Sequence, residues 1–328
     1  IVTLLNTLNW HIVTLLFMKK EDLRIVYMGT PDFAVPCLKA LVESGENVTA
    51  VFSQPDKPKG RGYKLTPPPV KEYAVSQNIP VYQPASLKKG DDAEEAYETL
   101  KKLAPDLIVV VAYGKILPKR ILDLPKTYCI NIHASLLPKY RGAGPIQWCI
   151  LKGESETGVT SMIMGEGLDT GDMLIKAATE IGINETADEL HDRLAVIGAD
   201  VLLETVKAIK TGDIHPQPQD DEMSCYAPML TKELCPIDFG KTAKEIHNQI
   251  RGLSSWPCAV AQIAGRRLKV YHSELDGKRH EGYAAGDICD KDKFTVVCGD
   301  GFGITFTEVQ ADGGKRMKTA DYLRGNKL

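Results

Sequence analysis

"CINIHASLLPKYRGAGPIQW", residues 129–148, begins as a buried strand and then passes into a loop rich in proline and glycine. Asn131 and His133 end the strand. Because they stand two positions apart, their side chains lie on one face of it and can meet on a single ligand atom. A cap on the end of the strand, made through bonds to local backbone groups, explains the same pair equally well.

Strand-like runs alternate with helical stretches on both sides of this segment. The long amphipathic stretch from Thr186 onward predicts a helix, with Thr186 as its N-cap. The alternation predicts an α/β fold with a doubly wound, mostly parallel sheet, in which ligands bind beyond the carboxyl ends of the strands. Apolar runs predict strands at 23–28, 48–52, 106–113, 128–133, 158–165 and 172–181.

The pattern changes after residue 210. Residues 211–224 are polar and contain prolines, so we place a linker at 211–226, between a catalytic domain at 23–210 and a second domain at 227–328. A helix is predicted near 241–252. Short strands at the spacing of a small β-barrel are predicted near 258–264, 267–273, 283–289, 293–298 and 303–309.

Composition places the chain among ordinary soluble globular proteins. Its 328 residues are 43% hydrophobic and 25% charged, which is enough for two domains with real cores. The net charge of -3 does not mark the whole molecule as a nucleic-acid binder. The 8 cysteines form no CxxC pair and have no histidine at zinc-finger spacing, so we expect no metal and interpret them as reduced thiols of a cytoplasmic protein.

The first 22 residues form an N-terminal extension. Residues 1–17 are apolar, but Asn6, Asn9 and His11 interrupt a run that is already short for a membrane span. Met18 resembles a natural start. We therefore interpret residues 1–17 as upstream translated sequence rather than part of the native protein.

A second candidate site lies in "GEGLDTGDM", residues 165–173, which follows another predicted strand. Asp169 stands between glycines, where the backbone can turn tightly and bring a carboxylate over the sheet edge. A carboxylate there would orient His133, and Asn131 could donate to an oxygen on which negative charge develops. These three residue types suit acyl transfer to an attacking amine without a covalent intermediate. A simple turn loop is the alternative, since the segment lacks the ligands of an EF-hand.

A basic stretch, "QPDKPKGRGYKL", occupies residues 54–65. Its prolines and glycines predict a long loop without a regular element. Such a loop could contact phosphates, although a solvated loop explains a charge run equally simply. The cations are Lys57, Lys59, Arg61 and Lys64.

Four motifs, in this order, resemble the methionyl-tRNA formyltransferase family: "MGTPDFAVP", "QPDKPKGRG", "NIHASLLPKYRGAGPIQW" and "GLDTGDM". The resemblance extends from about Leu23 to the C-terminus. It implies a Rossmann-like catalytic domain followed by an OB-like, tRNA-binding domain. It also implies transfer of the formyl group of 10-formyltetrahydrofolate, a co-substrate, to the amino group of methionyl-initiator tRNA.

The resemblance also assigns site residues. It implies that Asn131, His133 and Asp169 are catalytic, and that the basic loop, through Arg61, reaches the tRNA acceptor stem. We expect a cytoplasmic monomer whose partners are initiator methionyl-tRNA and folate, with no metal and no membrane. The implied folate-binding residues are Ser135, Leu136, Leu137 and Pro138.

Three other interpretations remain open at this point. A folate-dependent formyltransferase or hydrolase acting on a nucleotide would share the Asn, His and Asp residues, but the basic loop and the second domain argue against it. A dinucleotide-binding oxidoreductase fits the α/β pattern, yet "MGTPDFAVP" lacks the GxGxxG phosphate cradle. A noncatalytic RNA-binding module would be separated from an enzyme by an assay for formylation of methionyl-tRNA.

Overall fold

A computed structural model describes residues 22–59, 64–326 and 328 of the chain. The predicted extension at residues 1–17, with Met18, lies outside the described residues. Among the described residues, none of the helices is long and apolar enough to cross a membrane.

Residues 22–227 contain eleven of the described strands. They are β1 (Ile25–Gly29), β2 (Val48–Phe52), β3 (Lys57–Lys59), β4 (Lys64–Thr66), β5 (Val81–Tyr82), β6 (Leu107–Val111), β7 (Tyr128–His133), β8 (Arg141–Gly142), β9 (Glu156–Ile163), β10 (Met173–Glu180) and β11 (Tyr226–Ala227). The helices between them are α1 (Val35–Glu43), α2 (Pro69–Ser76), α3 (Asp91–Leu103), α4 (Lys119–Leu122), α5 (Pro145–Leu151) and α6 (Ala187–Thr211).

Seven of these strands form one sheet in the order β10-β9-β7-β6-β1-β2-β5. The four neighbouring pairs β5-β2, β2-β1, β1-β6 and β6-β7 are parallel, whereas β9 runs antiparallel to both β7 and β10. The predicted doubly wound, mostly parallel sheet is therefore confirmed. Chain order reverses beside β1, so the carboxyl ends of β1, β6 and β7 meet where such sheets bind ligands.

Both faces of the sheet are covered, which explains why its central strands are continuous apolar runs. In β1, Ile25 and Tyr27 pack into the core on the side of α1 and α6, while Val26 and Met28 pack into the core on the side of α3. The predicted helix from Thr186 is confirmed, because Thr186 and Glu189 form a complete capping box at the start of α6.

The basic stretch is not without regular structure, and this expectation was wrong. Strands β3 and β4 pair antiparallel, with Pro58 opposite Leu65. A two-stranded ribbon tolerates a proline whose missing N–H would face away from the partner strand. The base of the hairpin is held by Lys71, whose Nζ lies 2.8 Å from Asp56 Oδ1. Asp56 also accepts from Gln83 Nε2 at 2.9 Å.

The C-terminal part is a six-stranded antiparallel sheet, consistent with the predicted small barrel. The strand predicted near 267–273 continues to Arg279. The strand predicted near 283–289 is shorter than expected and begins later in the sequence. Its elements are α7 (Ala243–Leu253), β12 (Ala259–Ile263), β13 (Arg266–Arg279), β14 (Ile288–Asp290), β15 (Thr295–Val297), β16 (Phe302–Ala311), β17 (Met317–Lys318) and α8 (Thr319–Gly325), of which α8 was not predicted.

The segment that we interpret as a linker is bonded to the large sheet. Gln217 exchanges backbone hydrogen bonds of 2.8 Å with Met173 of β10, and β11, at the end of the segment, pairs in parallel with β8 in a separate two-stranded sheet. This pairing is invisible to a search for apolar patterns, because each strand is two residues long. The predicted domain limits themselves stay a prediction.

Candidate active site

The site is built at the carboxyl end of β7. Asn131 lies beside Val110 of β6 and Met162 of β9, and His133 lies beside Thr160. Asn131 is half-buried, whereas only 6% of the His133 side chain is exposed. The structure therefore places both side chains at the sheet edge that the sequence predicted, one open to a ligand and the other almost enclosed.

His133 is held by the loop that follows it. Its Nε2 lies 2.9 Å from the carbonyl oxygen of Tyr140. A carbonyl only accepts, so Nε2 must carry a proton and donate it. The other ring nitrogen, Nδ1, lies 3.8 Å from Asp169 Oδ2. Tyr140 thus decides the tautomer and leaves Nδ1 as the nitrogen that faces the carboxylate.

Asp169 sits in a tight turn between β9 and β10. Its φ is +51°, in the left-handed region, and its Oδ2 accepts from the backbone N–H of Gly142 at 2.9 Å. Gly171 permits the turn, because a Cβ there would lie 1.8 Å from the carbonyl oxygen of Ile163. The glycine after Asp169 is therefore required by a close approach of two backbones.

The loop 135–138 is held by four hydrogen bonds, of which the two to Thr160 are buried. The Thr160 hydroxyl donates to the carbonyl of Ser135 at 2.7 Å and accepts from the N–H of Leu137 at 3.1 Å. Lys176 Nζ donates to the carbonyl of Leu137 at 2.6 Å, and burial lowers the pKa of this lysine. Ser135 itself donates to the carbonyl of Lys139 at 2.7 Å.

Within this loop, the side chains point to different surroundings. Leu137 is 1% exposed and packs against Met162 and Met173, so it supports the loop from inside. Leu136 is half-buried and lines a cavity of about 280 Å³, together with Tyr140. Pro138 is half-buried. Leu136, rather than Leu137, therefore has apolar surface that is partly exposed.

The basic hairpin leaves the same edge of the sheet. Gln54, which follows β2, donates from Nε2 to the carbonyls of Tyr113 and Gly114 at 3.1 and 3.2 Å, beyond the end of β6. Lys57 is exposed and donates to Gln54 Oε1 at 2.8 Å. Lys59 and Lys64 contribute their backbones to β3 and β4, and Arg61 lies outside the described residues.

Four contributors to the site escaped the sequence analysis: Tyr140, Gly142, Thr160 and Gln219. Tyr140 and Gly142 act through backbone atoms, which residue type does not reveal. Thr160 is one of several threonines in strands. Gln219 lies in the predicted linker, yet its Nε2 donates to the carbonyl of Asp169 at 2.8 Å. Over the ranges that the structure describes, no group of three metal-ligating side chains is found.

Comparison with known proteins covers most of the chain. The formyl transferase family model matches residues 23–206, and the model of the formyl transferase C-terminal domain matches residues 229–327. The methionyl-tRNA formyltransferase of Trichlorobacter lovleyi is 51% identical over 310 residues, covering 93% of this chain and 95% of that protein. The methionyl-tRNA formyltransferase of Alkaliphilus oremlandii is 50% identical over 308 residues, covering 93% and 97%.

A solved structure agrees with these matches. The N-formyltransferase from Helicobacter canadensis, in complex with folinic acid and dTDP-3-aminofucose, superposes with a TM-score of 0.67 at 25% identity, covering 87% of this chain and 98% of that chain. Fold and matches together define the class, which is that of the formyl transferases. Within this class, the chain belongs to the methionyl-tRNA formyltransferase family, as its motifs predicted.

Proposed function

We propose that this chain transfers the formyl group of 10-formyltetrahydrofolate to the amino group of methionyl-initiator tRNA, for translation initiation. The observation that carries the proposal is identity of about one half to methionyl-tRNA formyltransferases along 93% of the chain. The arrangement of Asn131, His133 and Asp169 at one sheet edge supports it. The chain would act as a cytoplasmic monomer, with a catalytic domain at 23–210, a linker at 211–226 and a second domain at 227–328.

The residues of the loop 135–138 fit a folate. Leu136 supplies apolar surface beside a cavity, and the hydrogen bonds of Ser135, Thr160 and Lys176 hold the loop in one shape. A preformed wall with a few placed polar groups is the usual make-up of a ligand pocket. We assign Ser135, Leu136, Leu137 and Pro138 to this wall, with the half-buried Leu136 and Pro138 as its surface and the buried Ser135 and Leu137 as its packed underside.

The roles of the three polar residues follow from their bonds. The amide of Asn131 can donate to the formyl oxygen, where negative charge develops as the amine attacks. His133 can donate from Nδ1 when it is protonated there, because Nε2 is already engaged with Tyr140. Asp169, held by the N–H of Gly142, lies beside Nδ1 and can accept the amine proton, directly or through water.

The tRNA would bind the basic hairpin and the C-terminal domain. The hairpin starts from the same sheet edge as the three polar residues, so an acceptor end placed in the site brings its phosphates near these cations. We assign Lys57, Lys59, Arg61 and Lys64 to this contact.

The test is formylation of methionyl-tRNA by the purified protein with 10-formyltetrahydrofolate. We expect Asp169→Asn and His133→Ala each to lower kcat by ~10²-fold or more, since each removes part of the charge stabilisation. The double variant should be little slower than the slower single one, because the residues act as a unit. Glu166→Gln, which changes an exposed carboxyl in the same loop, is the matched control. Near-normal turnover by Asp169→Asn would refute the residue assignment.

A further inference from the structure

The side chain of Gln219 is bonded at every position of its amide. Nε2 donates to the carbonyl of Asp169 at 2.8 Å and to the carbonyl of Gly171 at 2.7 Å. Oε1 accepts from Arg141 Nε at 2.9 Å. Carbonyls only accept and a guanidinium only donates, so these three partners allow one orientation of the amide. Gln219 therefore joins the two sides of the turn that contains Asp169.

That turn needs an external support. Asp169 has a φ of +51°, a conformation that residues other than glycine rarely adopt. Residues 165–168 before it are exposed. The side chain of Asp169 is held by the N–H of Gly142, and its backbone carbonyl is held by Gln219. Asp169 is thus held at two points, its carboxylate by Gly142 and its backbone carbonyl by Gln219, and both partners lie in distant parts of the chain.

The two supports are themselves connected. Arg141, which bonds Gln219, precedes Gly142 in β8, and its side chain is only 11% exposed. Its Nη2 also donates to Asp221 Oδ1 at 2.7 Å. Strand β11 pairs with β8 just beyond. The segment 219–227 and residues 141–142 therefore act jointly to hold Asp169. Loss of the Gln219 bonds would free the backbone carbonyl of Asp169, which is one of the two points at which this residue is held.

We propose that Gln219 is a positioning residue for the reaction, which holds the Asp169 turn so that the carboxylate faces His133 Nδ1. This inference rests on the proposed catalytic role of Asp169. Gln219 bonds the backbone carbonyl of Asp169 and not its carboxylate. Its effect on the reaction would therefore come from the position of Asp169. A displacement of a reacting group by about 1 Å can lower a rate by ~10²-fold, which sets the size of the expected effect.

The experiment compares steady-state kinetics of Gln219→Met and Gln219→Glu with those of Gln217→Met. The methionine removes all three bonds at similar size. The glutamate still accepts from Arg141 but turns a second oxygen toward two carbonyls. We expect both Gln219 variants to lower kcat by about 10- to 100-fold, with KM for tRNA and for folate changed less than about 3-fold. Gln217, exposed in the same segment, is the matched control and should behave as wild type.

A double variant separates positioning from a general loss of structure. In an Asp169→Asn background, Gln219→Met should not lower the residual rate further, although its effect on the melting temperature should persist. Wild-type kcat in a folded Gln219→Met or Gln219→Glu protein would overturn the inference, as would an equal loss in the Asp169→Asn background. If the methionine variant does not fold, the glutamate variant decides. Wild-type turnover by Asp169→Asn alone would instead refute the catalytic role of Asp169 on which the inference rests, whereas a wild-type protein that does not formylate methionyl-tRNA would refute the proposed function.

Discussion

Thr160 is a single buried hydroxyl that determines the shape of the loop 135–138. It donates to the carbonyl of Ser135 and accepts from the N–H of Leu137, so both capacities of the hydroxyl are used inside the protein. Thr160 lies beside His133 in the sheet. One side chain on β9 therefore aligns the loop 135–138 with the residue that we propose for catalysis.

Removing this hydroxyl tests the loop. Thr160→Val keeps the shape of the side chain but leaves two buried backbone groups unpaired, which costs about 1–3 kcal/mol for each. We expect a lower free energy of unfolding in urea and weaker folate binding in a direct titration. Thr160→Ser retains the hydroxyl and should recover most of the folate affinity. Wild-type folate affinity in a folded Thr160→Val protein would show that the loop is not the pocket wall.

At the scale of elements, the basic hairpin extends from the large sheet, and its strands are not among the strands of that sheet. Among the strands that the structure describes, β3 and β4 pair only with each other, and the base of the hairpin is held by Lys71, Asp56 and Gln83. Hydrogen bonds from Lys71 and Gln83 lower the pKa of Asp56. Lys57, Lys59 and Lys64 thus belong to a short ribbon whose base is aligned with the end of β2.

The hairpin prediction concerns Arg61, which lies between the two strands. Arg61→Ala should lower kcat/KM for methionyl-tRNA and leave folate binding unchanged, because its planar fork is suited to phosphate and base edges. Arg61→Lys should recover only part of the loss. The difference from wild type should shrink as salt rises, since screening weakens phosphate contacts. Lys88→Ala, an exposed cation before α3, is the control. Equal kinetics of Arg61→Ala and wild type at low salt would contradict a tRNA contact.

At the scale of the whole molecule, α7 joins the C-terminal sheet to the turn before α6. His247 is 2% exposed; its Nε2 donates to the carbonyl of Ile183 at 2.8 Å, and its Nδ1 lies 2.9 Å from Ser273 Oγ. Arg251 Nη1 donates to the carbonyls of Gly182 and Glu185 at 3.1 and 3.2 Å. The two parts of the chain are therefore connected through buried, directional bonds.

This interface should be sensitive to acid. Burial lowers the pKa of His247 below its usual 6.5, so the unfolded chain binds a proton that the folded one resists. Stability is full above the unfolded pKa and falls as the pH drops through it. We expect the free energy of unfolding in urea to decrease from pH 7.5 to pH 5.5. That decrease should be smaller in His247→Gln and unchanged in His215→Gln, an exposed control. An identical slope in His247→Gln and wild type would exclude this histidine as the cause.

The features of this protein that depend on local order could be predicted from its amino-acid sequence. Apolar runs and helical periodicity predicted six of the seven strands of the large sheet, all but the two-residue β5, and the helix from Thr186, because burial on both faces of a sheet and helix capping select particular residue types. The spacing of Asn131 and His133 predicted that they share an edge, since alternate residues of a strand face one way.

How distant segments meet could be seen only in the folded protein. The bond from His133 to the carbonyl of Tyr140, the bond from Gly142 to Asp169 and the amide of Gln219 all use backbone groups, which every residue type carries alike. The hairpin at Lys57 and the pairing of β8 with β11 involve strands too short for a periodicity to show. Leu137 and Leu136 are identical in sequence terms, and only packing distinguishes the one inside from the one at the cavity.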